Sequence, residues 1–134
     1  MAYLYGGNIL RINLSSGKIE KQPTAAYAEK WLGGRGLNAR ILYEELAPGT
    51  DALSPENVLA FSIGPLTGTM FPGSGRVEVA AKSPLTGIQG MSNMGGYWAP
   101  ELKYAGYDSI VIKGRASKPV YIAIHNEKVE ITGG

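Results

Sequence analysis

Polar and apolar positions alternate from Asn8 to Leu14, and this period of two predicts a strand. Ser15-Ser16-Gly17-Lys18 follows with turn chemistry, and Ile19 to Gln22 resumes as a second strand, so the chain opens on a hairpin. The period then lengthens. Thr24 has a side chain suited to capping a helix, Tyr27, Ala28, Trp31 and Leu32 recur at spacings of three and four, and Gly33 is suited to end it. Gly34-Arg35-Gly36 reads as a bend. A second helix is predicted over Leu37 to Leu46, with Leu37, Ile41 and Leu42 as its apolar stripe and Pro48-Gly49 as its stop.

Asp51 to Asn57 reads as loop, Val58 to Ile63 as a buried strand, and Arg76 to Ala81 as its partner. The tetrapeptide Pro-Leu-Thr-Gly occurs at Pro65 to Gly68 and again at Pro84 to Gly87; as a reused turn, it needs no ligand. After Ile88 to Met91 comes Ser92-Asn93-Met94-Gly95-Gly96, then a helix opening near Trp98 with Pro100 in its first turn and Gly106 as its stop. Trp98, Leu102 and Ala105 are its predicted core face, and Trp31 and Trp98 are both assigned to the core. Strands over Ser109 to Lys113, Val120 to Ile124 and Val129 to Thr132 complete an α+β chain dominated by sheet.

The 134 residues fit one domain, able to bury roughly two thirds of the surface its unfolded form exposes. A formal charge of +2 with interspersed signs provides no basic stripe, which argues against a nucleic-acid partner. Neither a signal-like start nor an apolar run of the roughly 20 residues that a membrane helix needs is present, and the expected location is the cytoplasm. With no cysteine, the chain can supply no thiolate to zinc, haem or an iron-sulfur cluster, so redox chemistry requires a borrowed cofactor. His125, the only histidine, ends an alternating segment and is assigned no site role. Glu44, Glu45 and Glu56 read as solvated charges.

Nineteen glycines are about twice the usual share of roughly 7%. Seven of them form three glycine-rich bends, at Gly33 to Gly36, Gly73 to Gly75 and Gly95-Gly96, where the missing Cβ lets a flat ligand or another backbone approach closely. Gly95 and Gly96 precede a helix start, where free amides suit an anion, and Arg76 follows an open backbone with a bidentate donor. On these grounds alone a tight turn is the better explanation of Gly95-Gly96, since glycine pairs before helices are common, and an ordinary surface ion pair explains Arg76 too.

As a string, the residues say more. Trp31 to Leu37, Leu53 to Asn57, Gly64 to Thr69, Lys82 to Gly87 and Gly95-Gly96-Tyr97 through Glu101 to Asp108 closely resemble the N-terminal domain of aldehyde ferredoxin oxidoreductases, in the family's order and spacing and over nearly the whole chain. The resemblance implies two packed, mainly antiparallel β-sheets with a few short helices, forming a base for a tungsten bis-pterin cofactor whose halves are joined through magnesium. It implies oxidation of an aldehyde to a carboxylate, with electrons passing to a 4Fe-4S cluster and then to ferredoxin. The site residues it implies are Arg76, between pterin and cluster, with Asn93, Gly95 and Gly96 at the pterin and its phosphates; the backbone carbonyl of Asn93 is the expected magnesium ligand.

Met94 departs from the small polar residue expected at its position. The cluster cysteines and the substrate-surrounding residues of such enzymes fall beyond Gly134 in a chain several times longer, so residues 1–134 are expected to form a single tungstopterin-binding domain without the cluster and substrate domains. The expected partners are therefore the remaining domains and, for this chain alone, a second copy through the surface those domains would cover. A stand-alone module without catalysis, or a subunit of a related tungsten enzyme with another substrate, are the alternatives the sequence leaves open.

Overall fold

The structure is a computed structural model that describes residues 4–133. The chain runs β1 (Asn8–Asn13), β2 (Lys18–Pro23), α1 (Ala25–Trp31), α2 (Gly34–Glu45), β3 (Leu59–Ile63), β4 (Val77–Lys82), β5 (Gln89–Met94), α3 (Trp98–Tyr104), β6 (Tyr107–Lys113), β7 (Val120–His125) and β8 (Lys128–Gly133). Six strands form one sheet in the order β2-β1-β6-β3-β4-β5, and β7 and β8 form a second. Every pairing is antiparallel except β1 with β6. The α+β class and the mainly antiparallel two-sheet architecture are as the sequence predicts.

Strand alternation gives each face of the large sheet its own core. On one face Ile9, Ala60, Ala80 and Val111 meet Leu37, Ile41 and Leu42 of α2, the stripe read from the sequence. On the other, Leu10, Ile63, Val77 and Ile110 meet Ala99 and Leu102 of α3, and Ile122, Ile124, Val129 and Ile131 of the β7–β8 hairpin pack over them. A two-stranded hairpin is marginal alone, so this apolar face is what seats it.

Several local readings need correction. Trp31 and Leu32 are exposed and α1 buries no residue, because a seven-residue helix flanking α2 offers too short a stripe; Trp31 lies instead beside the Arg40 guanidinium, 5.4 Å from its ring centroid. Leu32, with φ of 57°, takes the left-handed position assigned to Gly33. Gly34 to Gly36 form the first turn of α2 rather than a bend. Trp98 is likewise 40% exposed, tilted against Phe61 at 5.7 Å on the rim of the second core.

Thr24 makes no capping bond; its buried hydroxyl donates to Asp108 over 2.8 Å. Asp108 Oδ1 also accepts the Gly6 amide at 2.8 Å and faces Lys103 Nζ at 3.0 Å, while its Oδ2 accepts the Gly7 amide at 2.8 Å. A carboxylate with 1% side-chain exposure is tolerable only with such partners. Lys103 in turn donates to the carbonyls of Leu4 and Gly64, so this pair joins the N-terminal segment, α3, β6 and the end of β3.

A buried polar seam crosses the other face, where Ser62 Oγ donates to Asn38 Oδ1 at 2.6 Å and lies 2.8 Å from Ser109 Oγ. Glu45 is not a freely solvated charge. Burial pushes its carboxyl pKa up, but hydrogen bonds from Lys113 at 2.7 Å and Arg11 at 2.6 Å outweigh this and hold it below the usual value.

Candidate functional site at the β4–β5 edge

The β4–β5 hairpin brings the four predicted site residues together. Glu78 pairs with Asn93 and Val77 with Met94, so Arg76 and Gly95 stand next to each other where the two strands end. The ladder runs through Asn93 and Met94, which the sequence placed after the strand. Arg76 Nη1 donates to Asn93 Oδ1, and a Cβ added to Gly95 would lie 4.0 Å from Arg76 Nε. Arg76, Asn93, Gly95 and Gly96 are all exposed.

The direction of the main chain follows from the hairpin's own bonds. Lys82 turns its N–H and C=O away from β5, to Asn57 Oδ1 at 3.2 Å and Asn57 Nδ2 at 3.1 Å, whereas the Ser83 amide donates to the Ile88 carbonyl at 2.8 Å. Antiparallel ladders alternate between bonded and non-bonded pairs. With an unbroken register, Lys82/Gln89, Ala80/Met91 and Glu78/Asn93 are the non-bonded pairs. The amide and carbonyl groups of Gln89, Met91 and Asn93 therefore point outward, and β5 is the last strand of its sheet.

Beyond the ladder, Gly96 adopts φ of 110°, a conformation glycine reaches without strain. A Cβ added to Gly75 would come within 3.2 Å of the Gly96 carbonyl, so the second glycine bend packs on the third. With seven residues, α3 contributes little dipole; the free amides and the absence of side chains before it are what suit an anion.

The first glycine bend has a different cause. A Cβ on Gly33 would lie 2.5 Å from the Ile63 carbonyl, and one on Gly36 2.7 Å from the Trp31 carbonyl. These glycines serve backbone packing between α1, α2 and β3, not the approach of a ligand.

Two neighbours of the site escaped the sequence reading. Glu78 shares the Asn93 face, with Oε1 3.4 Å from Arg35 Nη2 and Oε2 buried without a hydrogen-bond partner among the described residues; its alternation with Arg76, just before β4, was the available signal. On the opposite face, a cavity of about 580 Å³ is lined by Phe61, Met94, Trp98, Ile110 and Ile122, with His125 at its edge. His125 ends β7 and is exposed. Among the described residues no group of three or more His, Cys, Asp or Glu could hold a metal ion.

The β4–β5 edge of this α+β chain thus brings together an arginine fork, outward carbonyls and residues without side chains. A sequence model of the aldehyde ferredoxin oxidoreductase N-terminal domain matches residues 9–133. The chain is 52% identical over 128 residues to the tungsten-containing aldehyde ferredoxin oxidoreductase of Pyrococcus abyssi, covering 95% of this chain and 21% of that protein. It is 41% identical over 134 residues to the aliphatic sulfonate oxidoreductase WOR-like subunit of Pyrococcus furiosus, covering 96% and 21%. Among solved structures, the active-site complex BamBC of benzoyl-coenzyme A reductase, with 1,5-dienoyl-CoA, superposes with a TM-score of 0.95 at 45% identity, over 99% of this chain and 20% of that one.

The chain belongs to the aldehyde ferredoxin oxidoreductase family, as its N-terminal domain. It spans about a fifth of the length of the relatives it matches. Among the described residues, no helix is long and apolar enough to cross a membrane.

Proposed function

We propose that residues 1–134 form the cofactor base of a tungsten-pterin oxidoreductase, with Arg76, Asn93, Gly95 and Gly96 as its cofactor contacts. The observation that carries this reading is the convergence of Arg76 and Asn93 beside Gly95 at an unpaired sheet edge. The donor set fits such a group. A main-chain carbonyl is a hard oxygen ligand suited to magnesium, and that of Asn93 points outward. Gly95 and Gly96 leave their amides clear for phosphate oxygens, and the remaining N–H groups of Arg76 can donate to a pterin edge and to an anionic cluster together.

When bound, the tungstopterin supplies the two-electron oxidation of an aldehyde to a carboxylate, with a 4Fe-4S cluster and ferredoxin taking the electrons. This chain's part is to bind and orient. Asn93 fixes one guanidinium nitrogen of Arg76, so the fork is held on the strand rather than swinging freely. The cluster ligands and the groups that choose the substrate belong to the rest of the polypeptide, which works in the cytoplasm.

The second reading, a base for a related tungsten enzyme with a different substrate, is favoured by one observation: relatives named for aldehydes, sulfonates and a coenzyme A thioester match the same residues at 41% identity or more. The domain is thus read as substrate-neutral. A chimera in which this chain replaces the matching fifth of the Pyrococcus abyssi relative tests the main reading. It should retain tungsten and oxidise aldehydes; a folded chimera without tungsten would refute it.

A further inference from the structure

β4 carries one residue that the cofactor reading leaves unused. Ala80 lies in the core under α2, so by strand alternation Glu78 stands on the same face, turned toward that helix. The start of α2 holds it at three points. Arg35 Nη2 lies 3.4 Å from its Oε1, Asn38 Nδ2 donates to its main-chain carbonyl at 2.9 Å, and a Cβ added to Gly34 would lie 3.9 Å from its Cγ. All three partners belong to this chain, and Asn38 is itself fixed by Ser62 in the buried seam.

Asn93 stands directly across from Glu78 on β5, in a non-bonded pair, the arrangement that brings facing side chains closest. Its amide has two ends of equal shape and opposite character: Oδ1 accepts and Nδ2 donates. The Arg76 guanidinium can only donate, and its Nη1 takes Oδ1. Nδ2 is the end left for the other neighbour. A carboxylate can only accept, and Glu78 Oε2 has no donor among the described residues.

We propose that Glu78 is a positioning residue: its carboxylate fixes the sense of the Asn93 amide, Nδ2 toward Glu78 and Oδ1 toward Arg76, and so holds the Arg76 fork at the site. If the facing group could donate, Asn93 could turn Oδ1 to it, and Arg76 would then meet Nδ2, donor against donor. The guanidinium would swing free of the strand.

The inference rests on the cofactor reading for its purpose but not for its test, which needs no cofactor. A chimera without tungsten would refute that reading and leave this one to stand or fall on its own measurement. In the 134-residue chain labelled with nitrogen-15, NMR relaxation gives the order parameter of the Arg76 Nε–H bond. In the wild type it should exceed the roughly 0.6 below which a group counts as flexible. Glu78→Gln keeps the shape of the side chain and should bring the value below that mark, with the backbone order of β4 and β5 unchanged. Adding Asn93→Asp should restore it, because a carboxylate offers Arg76 an acceptor at either end and the new amide at position 78 donates to it. A role of Glu78 confined to Arg35 and α2 would leave Arg76 unmoved in the single variant or unrescued in the double one. A mobile Arg76 in the wild type, an Arg76 unaffected by Glu78→Gln, a Glu78→Gln chain that does not fold, or an Arg76 still mobile in Glu78→Gln/Asn93→Asp would each overturn the proposal.

Discussion

The guanidinium of Arg76 donates from Nη1 to the side-chain oxygen of Asn93 across the end of the β4–β5 hairpin. The bond couples a charge to the strand whose outward carbonyls form the edge of the site. It occupies one nitrogen of the fork and leaves the others for a ligand.

Replacing Arg76 should therefore separate ligand binding from folding. In the isolated chain, Arg76→Ala removes an exposed side chain and should change stability by no more than about 0.5 kcal/mol. In the chimera, Arg76→Ala should lower tungsten content and the reduction potential of the cluster, because a positive charge beside an anionic group is lost. Arg76→Lys should also loosen the cofactor, since an ammonium cannot reproduce the planar fork. Metal analysis and a redox titration check both; an unchanged metal content and potential in the alanine variant would make Arg76 an ordinary surface residue.

Asp108→Ala should be among the most damaging single changes. It leaves Lys103 without its counter-charge and the Thr24 hydroxyl and the amides of Gly6 and Gly7 without their acceptor, and breaking a buried pair by removing one partner costs about 3–5 kcal/mol. Urea denaturation measures this. A midpoint equal to the wild type would mean that water replaces the carboxylate at no cost.

The Glu45 carboxylate, held by Lys113 and Arg11, adds a pH dependence with a defined sign. Its folded pKa lies below the ordinary glutamate value, so the folded state favours the ionised form. The resulting stabilisation is fully present above the unfolded pKa and is lost as pH falls through the folded one. Glu45→Gln should cost about 1.5–3 kcal/mol at neutral pH. It should also flatten the acid limb of the stability profile, as read by denaturant titrations across the acidic range; an acid limb as steep as the wild type's would contradict the assignment.

Gly33→Ala should destabilise the chain, because the new Cβ would meet the Ile63 carbonyl at 2.5 Å and that carbonyl belongs to a core strand. A thermal melt decides it, and a melting temperature equal to the wild type's would mean that α1 and α2 shift without cost.

The sequence was most readable where a period ran uninterrupted. The stripe of Leu37, Ile41 and Leu42 predicted the face of α2 that is buried, and the alternation from Asn8 predicted β1, which buries Ile9 on one face and Leu10 and Ile12 on the other. It was least readable where a long-range partner decides. Thr24 looks like a cap, but Asp108 lies 84 positions away in sequence and claims its hydroxyl. Trp31 has helical spacing, but its helix is too short to carry the ring into the core. The same limit applies to the glycines. Composition shows that they need a backbone reason, yet only the fold separates Gly33 and Gly36, which meet carbonyls of the chain itself, from Gly95, where a Cβ would meet nothing nearer than Arg76 Nε at 4.0 Å. The four candidate site residues came from family resemblance, and their adjacency from the β4–β5 register.

The cofactor contacts at the β4–β5 edge are tested most directly by the tungsten content of the chimera carrying Gly95→Val. A Cβ at Gly95 makes only an ordinary 4.0 Å contact with Arg76 and strains no left-handed backbone, so the variant should fold and melt like the parent. The valine side chain would nevertheless occupy the space through which a flat, phosphorylated ligand must approach. The account predicts an unchanged melt of the cofactor-free protein with tungsten per chain reduced at least about tenfold, equivalent to roughly 1.4 kcal/mol of binding. Full tungsten occupancy in a folded Gly95→Val chimera would contradict it.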